Sequence, residues 1–384
     1  MNSTTSKEIP YLAHANPEID ADIFYMTGLM APDPYTALKI GDDLVLAVSP
    51  LEYGRAVNES KATRIVDTQS LMNAAKEFKA QGASQAGAQV LVMLRDLEVD
   101  KVEVPQDFPL QIARDLEKFS VKVETYEHRM LQERLIKDDA EVDQVRESIA
   151  ITQKSLTLVE TILGEASIEN QMLKWQGEWL TSERVHREIE HLCLDFDAEA
   201  KHPIVAGGDQ ACDPHERGHG VLYADQMIIV DIFPRSKKHH YWGDLTRTFI
   251  KGKPTDEQKK LYQTVYDVQQ QAISRICERA DSCKIHQEVE MAFEKQGYRT
   301  EKIGGGYQGF FHGTGHGFGL DIHEPPRLGK IQPVELKEGM LVTVEPGLYY
   351  PDPGPGGCRI EDDVLVKRGG CEVLSDFHYN WIIE

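Results

Sequence analysis

The sequence predicts an α/β N-terminal domain over residues 1–135 followed by an α+β domain over residues 136–384. Three observations predict it. In the first third, short β-branched runs alternate with amphipathic stretches, as in a βαβ-type sheet. Beyond it, several segments carry apolar residues at helical spacing. Between and after those helices come strand-like apolar runs that end in acids.

In the N-terminal domain, strands are expected at residues 44–48, 64–66, 90–94 and 121–124, with helices at 69–80 and 110–119. No Gly-rich phosphate loop follows any of these strands, so nucleotide binding finds no support, and this half reads as a scaffold or a gate. Residues 133–141, charged and without turn glycines, read as an exposed connection into a long helix. The apolar positions of that helix, Val142, Val145, Ile149, Leu156, Val159 and Leu163, fall roughly on one face. A second helix is expected over 182–194. A third starts at Thr255 as N-cap with Gln258 completing a capping box, and runs toward Arg279. A fourth, over 285–296, stops at Gly297.

The acids carry the chemistry. Asp231 ends the run Met227-Ile228-Ile229-Val230, Asp244 opens Asp-Leu-Thr-Arg-Thr, Glu345 closes Leu341-Val342-Thr343-Val344, and Glu361 follows Ile360. A buried strand excludes charge, so an acid at its apolar end calls for a compensating cation. Any one of these is weak, because a strand-end carboxylate is usually solvated. Together with His316, in the Gly-spaced histidine segment 312–326, four acids and an imidazole would neutralise and orient two divalent ions.

The contexts Gly-Asp-Leu-Thr-Arg-Thr, Gly-x-Gly-His, Val-Glu-Pro-Gly and Arg-Ile-Glu-Asp, in this order, give residues 140–384 a specific resemblance. They resemble the pita-bread metallopeptidases, the family of methionine aminopeptidase, Xaa-Pro aminopeptidase, Xaa-Pro dipeptidase (prolidase) and creatinase. The first domain resembles, more loosely, the one preceding the catalytic domain in the proline-specific members. The resemblance implies a pita-bread (creatinase/aminopeptidase) catalytic domain holding two divalent metal ions. Asp231 would chelate one metal, Asp244 and Glu361 would bridge both, and His316 and Glu345 would bind the other. A water between the metals would be the nucleophile and Glu345 the acceptor of its proton. The resemblance also implies catalytic roles for His215, 16 residues before Asp231, and His323, seven after His316, and a substrate-side role for His312. His219 competes with His215 for its place. Arg359, two residues before Glu361, would share its face on a strand. There it would orient a ligand carboxylate, hold a substrate carboxylate, or form a structural ion pair.

In one place the sequence departs from the family pattern. Asp231-Ile232-Phe233-Pro234 replaces Asp-x-Gly, and the interval of thirteen to Asp244 is longer than in most members. Hairpin partners keep a constant index sum, so an even lengthening leaves each aspartate on its face. The lengthened loop, 235–242 (Arg-Ser-Lys-Lys-His-His-Tyr-Trp), reads as a solvated hairpin tip, with contact to substrate or to a partner subunit as the alternative.

A two-domain member implies an Xaa-Pro aminopeptidase, slightly favoured over a prolidase; proline's tertiary amide has no N–H and kinks the chain, which ordinary peptidase grooves exclude. Another small-molecule C–N hydrolase on this scaffold, and a non-catalytic pita-bread binding module, are the competing readings. Manganese is the expected metal, with cobalt, zinc and iron as alternatives. A peptide substrate and a homodimer are the expected partners. A formal charge of -21 without a basic cluster argues against nucleic acid. No apolar run of about 18 residues and no signal-peptide pattern point to a membrane or to export, so a cytoplasmic location is expected. Six cysteines without Cys-x-x-Cys spacing read as reduced thiols.

Overall fold

The computed structural model describes residues 9–384, which divide into two compact units at the boundary between Arg134 and Leu135. In the first unit a mixed six-stranded sheet runs in the order Arg64–Asp67, Asp43–Val48, Tyr35–Ile40, Tyr11–Ala15, Lys101–Val104, Lys122–Thr125. The expected strands at 44–48, 64–66 and 121–124 and the helices at 69–80 and 110–119 are present, with ends shifted by a residue or two. The run at 90–94 is not a strand. It lies inside the helix Gln85–Asp96, where Val90, Leu91, Val92, Met93 and Leu94 are each 3% exposed or less. A helical turn buried on all sides shows no polar stripe, so its apolar run imitates a buried strand. The discriminating signal was Ser84, whose hydroxyl accepts the Gly87 N–H as an N-cap.

The second unit begins with the long helix Asp139–Glu165, opened by a reciprocal capping box between Asp138 and Glu141. Val142, Val145, Ile149, Leu156, Val159 and Leu163 are all buried. The connection ahead of it is less exposed than expected. Arg134 is buried against Asp22 at 2.6 Å within the first unit, and Lys137 is buried against Glu324 within the second. Charge alone does not signal exposure when a partner acid comes from a distant part of the chain. The helix Ser182–Asp195 matches its expected span. Asp256–Ile273 carries the expected Thr255–Gln258 capping box but ends before Arg279, because Asp281 caps the next helix, Ser282–Lys295. That helix stops just before Gly297, whose φ of +92° suits glycine.

Each helix pair covers one sheet. Leu156, Val159 and Leu163 of the long helix and Val185 and Ile189 of Ser182–Asp195 pack with Val205, Ile228, Val230, Leu245 and Phe249. Those residues belong to a four-stranded sheet ordered Ile204–Gly207, Met227–Ile232, Leu245–Lys251, Ile382–Ile383. Leu261, Val265, Val289 and Phe293 of the later pair pack with Val342, Val344, Val364 and Val366. These strands lie in a five-stranded sheet ordered Glu324–Leu328, Gly315–Gly317, Leu341–Val344, Asp362–Lys367, Gly370–Val373.

Residues 235–242 are not a solvated tip. Arg235–Ser236 pair with Ala198–Glu199, and Ser236, His239 and Tyr241 are buried. Trp242 donates its indole N–H to the Leu320 carbonyl at 3.0 Å and its backbone N–H to Gly319 at 2.9 Å. Lys237 and Lys238 alone in this segment are exposed. The aromatic area is large enough to draw the segment onto the domain, leaving only the lysines in water.

Candidate metal centre

Two threonines organise the acids. The hairpin register pairs Asp231 with Thr246, and Asp244 lies two residues before Thr246, so all three side chains share a face. Thr246 donates its hydroxyl to Glu361 Oε2 at 2.8 Å. Thr248, next on that face, donates to the Arg359 carbonyl at 2.8 Å and accepts the Arg359 N–H at 3.1 Å. Arg247 points to the opposite face, fully buried, and pairs with Asp362 Oδ1 at 2.9 Å while donating to the carbonyls of Glu361 and Phe377 at 2.6 and 2.8 Å. The strand expected through Arg359 and Glu361 is broken at Ile360–Glu361, yet both side chains still reach the Thr246 hydroxyl.

His316 lies in the Gly315–Gly317 strand of the five-stranded sheet, and Glu345 directly follows its central strand, Leu341–Val344. The Glu345 N–H donates to the Thr314 carbonyl at 2.8 Å, and the His316 N–H to the Thr343 hydroxyl at 3.2 Å. A Cβ at Gly315 would collide with the Thr343 carbonyl, which is why glycine precedes this part of the site. His316 Nδ1 lies 3.1 Å from the Gly317 carbonyl and therefore carries the proton. Its Nε2 lone pair then faces Asp244 and Glu345, 3.7 and 3.5 Å away, the tautomer a metal ligand needs.

Ligand atoms of Asp244, His316 and Glu361 all lie within 4.8 Å of one another. Burial, then repulsion from Glu361, holds the Asp244 carboxyl well above the usual range; burial, then Glu345, does the same to Glu361. Glu345 is pushed up to about 7 by burial, against the pull of Arg359. Burial, and then His323, lowers His316 to about 3. Asp231 Oδ2 is 2.7 Å from Arg359 Nη2, while its buried Oδ1 has no hydrogen-bond partner among the described residues. An orphaned carboxylate oxygen, mutually repelling acids and an imidazole with its lone pair forward fit divalent cations, which take oxygen donors and one imidazole well. Such cations supply Lewis acidity and a nucleophile at neutral pH.

Burial works against the charge of Arg359, but Tyr349, Asp231 and Glu345 keep it cationic. Its Nη1 donates to the Tyr349 hydroxyl at 3.0 Å, which donates to His312 Nε2 at 2.9 Å. His312 Nδ1 in turn donates to the Gly313 carbonyl at 2.7 Å. Burial, then Arg359, lowers His312 to about 3, so it is neutral with both nitrogens engaged. His323 sets its ring edge-on to His316, 4.5 Å between centroids, and its pKa is lowered by dehydration and then by Arg327 and His215. His215 lies near enough to both His312 and His323 to act on them electrostatically. Both loop histidines are exposed, and His219, with its side chain 70% exposed, stands 3.4 Å from Glu216. The buried thiol of Cys358 is pushed up to about 12 and is unreactive.

Thr246, Thr248, Thr314, Thr343 and Tyr349 were not singled out by the sequence. The alternating threonines of Asp-Leu-Thr-Arg-Thr were a usable signal, since residues two apart on a strand share the face of the ligand acid. Tyr349 gave none.

The Xaa-Pro dipeptidase of Pyrococcus furiosus is 27% identical over 364 residues, 92% of this chain and 90% of that protein. An uncharacterized peptidase of Methanocaldococcus jannaschii is 34% identical over 248 residues, 63% of this chain. Among solved structures, a dipeptidase from Pyrococcus horikoshii superposes with a TM-score of 0.76 at 26% identity, covering 98% of this chain and 96% of that one. The X-Pro aminopeptidase of Thermotoga maritima shares the fold, with a TM-score of 0.79 at 21% identity over 98% and 97% of the two chains. The expected pita-bread fold is therefore present. Residues 143–368, more than half of the chain, match metallopeptidase family M24, whose members depend on two metal ions, and this chain belongs to that family.

Proposed function

We propose that this metallopeptidase is an exopeptidase that hydrolyses Xaa-Pro bonds, with Asp231, Asp244, His316, Glu345 and Glu361 as its metal ligands. The observation that carries the reading is the burial of mutually repelling acids around an imidazole whose lone pair faces them, beside the orphaned oxygen of Asp231. The proline specificity rests on the names of the relatives that span most of the chain.

In this reading Glu345, raised toward neutrality, accepts the proton of the attacking water. His215 and His323 donate to the developing oxyanion or to the leaving nitrogen. Arg359 and Tyr349 hold the free oxygen of Asp231 in place and, through His312, border the substrate. Manganese is the proposed metal, with cobalt, zinc or iron able to replace it. The proposed setting is the cytoplasm, and no helix among the described residues is long and apolar enough to cross a membrane. A homodimer is proposed on the family likeness.

The dipeptidase form is favoured by the names of both Pyrococcus relatives. The aminopeptidase form is favoured by Arg359, whose guanidinium is already engaged by Asp231 and Tyr349. Incubation with an Xaa-Pro dipeptide beside an Xaa-Pro tripeptide, in manganese, separates the two. Cleavage of the dipeptide alone means a dipeptidase and cleavage of the tripeptide an aminopeptidase. Cleavage of neither by metal-loaded protein removes the proline reading in favour of another C–N substrate, and failure to bind metal leaves a binding module.

A further inference from the structure

His286 lies on the Ser282–Lys295 helix with 1% of its surface exposed, and nothing in the chemistry above uses it. Its Nδ1 is 2.9 Å from the Thr314 hydroxyl. Its Nε2 is buried and, among the described residues, has no hydrogen-bond partner. The Glu290 carboxylate, one helical turn along, stands 3.7 Å from that nitrogen and is itself paired with Lys330 at 2.5 Å. At His316 a carbonyl fixes the proton on Nδ1, but the hydroxyl facing His286 Nδ1 can donate or accept, so here the Glu290 carboxylate decides and favours the proton on Nε2. Nδ1 is then the acceptor, and the Thr314 hydroxyl donates to it.

Thr314 is fully buried and sits between His312 and His316. Its N–H donates to the Leu328 carbonyl at 2.8 Å, and its carbonyl accepts the Glu345 N–H at 2.8 Å. That second bond ties the segment bearing His316 to the one bearing Glu345, whose Nε2 and Oε1 are 3.5 Å apart. Its hydroxyl is the remaining point of attachment, and a buried hydroxyl without its acceptor would turn to seek another. The geometry points to His286 as a positioning residue for the metal centre: by accepting from Thr314 it fixes that peptide, and with it the spacing of His316 and Glu345. The inference rests on the reading above that these two are metal ligands.

The test is titration of full-length, metal-stripped protein with Mn²⁺ alone, followed by calorimetry. His286→Leu and Thr314→Val should each weaken Mn²⁺ affinity about 10–100-fold, the range for groups that orient ligands. The double variant should be no worse than either single one, since both remove the same bond. His286→Asn, whose side-chain oxygen can stand near the place of Nδ1, and Thr314→Ser, which keeps the donor, should bind nearly as wild type. Unchanged affinity in His286→Leu and Thr314→Val, or losses that add in the double variant, overturns the inference. If His286→Leu does not fold, Thr314→Val against Thr314→Ser carries the same comparison. No peptide enters the measurement, so a protein that binds Mn²⁺ but cleaves no Xaa-Pro bond counts against the proposed function only; a wild type that binds no Mn²⁺ overturns both.

Discussion

Asp244 and His323 differ in what their loss should do. Asp244 is buried among the other acids, and Asp244→Ala should abolish activity and metal loading together. Full metal content by elemental analysis of that variant would remove Asp244 from the ligand set. His323 touches the centre only through the edge of its ring, so His323→Ala should keep its metal and lose about 10²–10⁴-fold in kcat. Glu345 sets a pH dependence. Its carboxyl in the metal-free fold is raised from an ordinary 4.5 to about 7, so the folded chain binds a proton that the unfolded chain has lost. Its contribution to stability is whole below the unfolded value and disappears as pH rises through the folded one. Metal competes with that proton, so the rise in Tm produced by Mn²⁺ should be larger at about pH 8 than at about pH 5. An equal rise at both would show that no site acid changes protonation across that interval.

Strands and helices were legible where a periodic face or a cap marked them. The Thr255–Gln258 capping box and the one-sided apolar pattern of Asp139–Glu165 are local properties, and both appear in the fold. Residues 90–94 misled because a run without a polar face has no period to read. The basic charge of residues 235–242 favours a solvated tip, but the burial of Tyr241 and the bond from half-buried Trp242 to Leu320 decide where the segment lies. The back of the hairpin offers its own test. Arg247→Met would leave Asp362 buried beside the void of its guanidinium partner, a change worth about 3–5 kcal/mol. Arg368→Ala, which breaks the exposed pair with Glu338, should cost about 1 kcal/mol or less. Denaturant unfolding checks both, and comparable losses would mean that the Arg247 pair is solvated in solution.

At the scale of the molecule, every proposed ligand lies in the second unit, Leu135–Glu384. Residues 135–384 expressed alone should therefore bind Mn²⁺ within a few-fold of the full chain's affinity by calorimetry. Loss of binding by a folded fragment would mean that the first unit completes the centre.

The proposed ligand acids stood out in the sequence because Asp231, Asp244 and Glu345 each lie at or next to an end of an apolar strand, where charge is costly, and because the local contexts of all four are short and specific. Strand alternation was enough to put Asp231 and Asp244 on a common face even across a lengthened loop. What the linear chain could not encode visibly is which distant segments meet at the site. That Arg359 holds Asp231, that Thr246 holds Glu361, and that His286 stands behind Thr314 are contacts between segments 28 to 128 residues apart. Such pairs obey no local period; Arg359 and Glu361 reach the hairpin of Met227–Ile232 and Leu245–Lys251 from another strand and its following loop, His286 reaches Thr314 from a covering helix, and only the packed chain decides which side chains meet there.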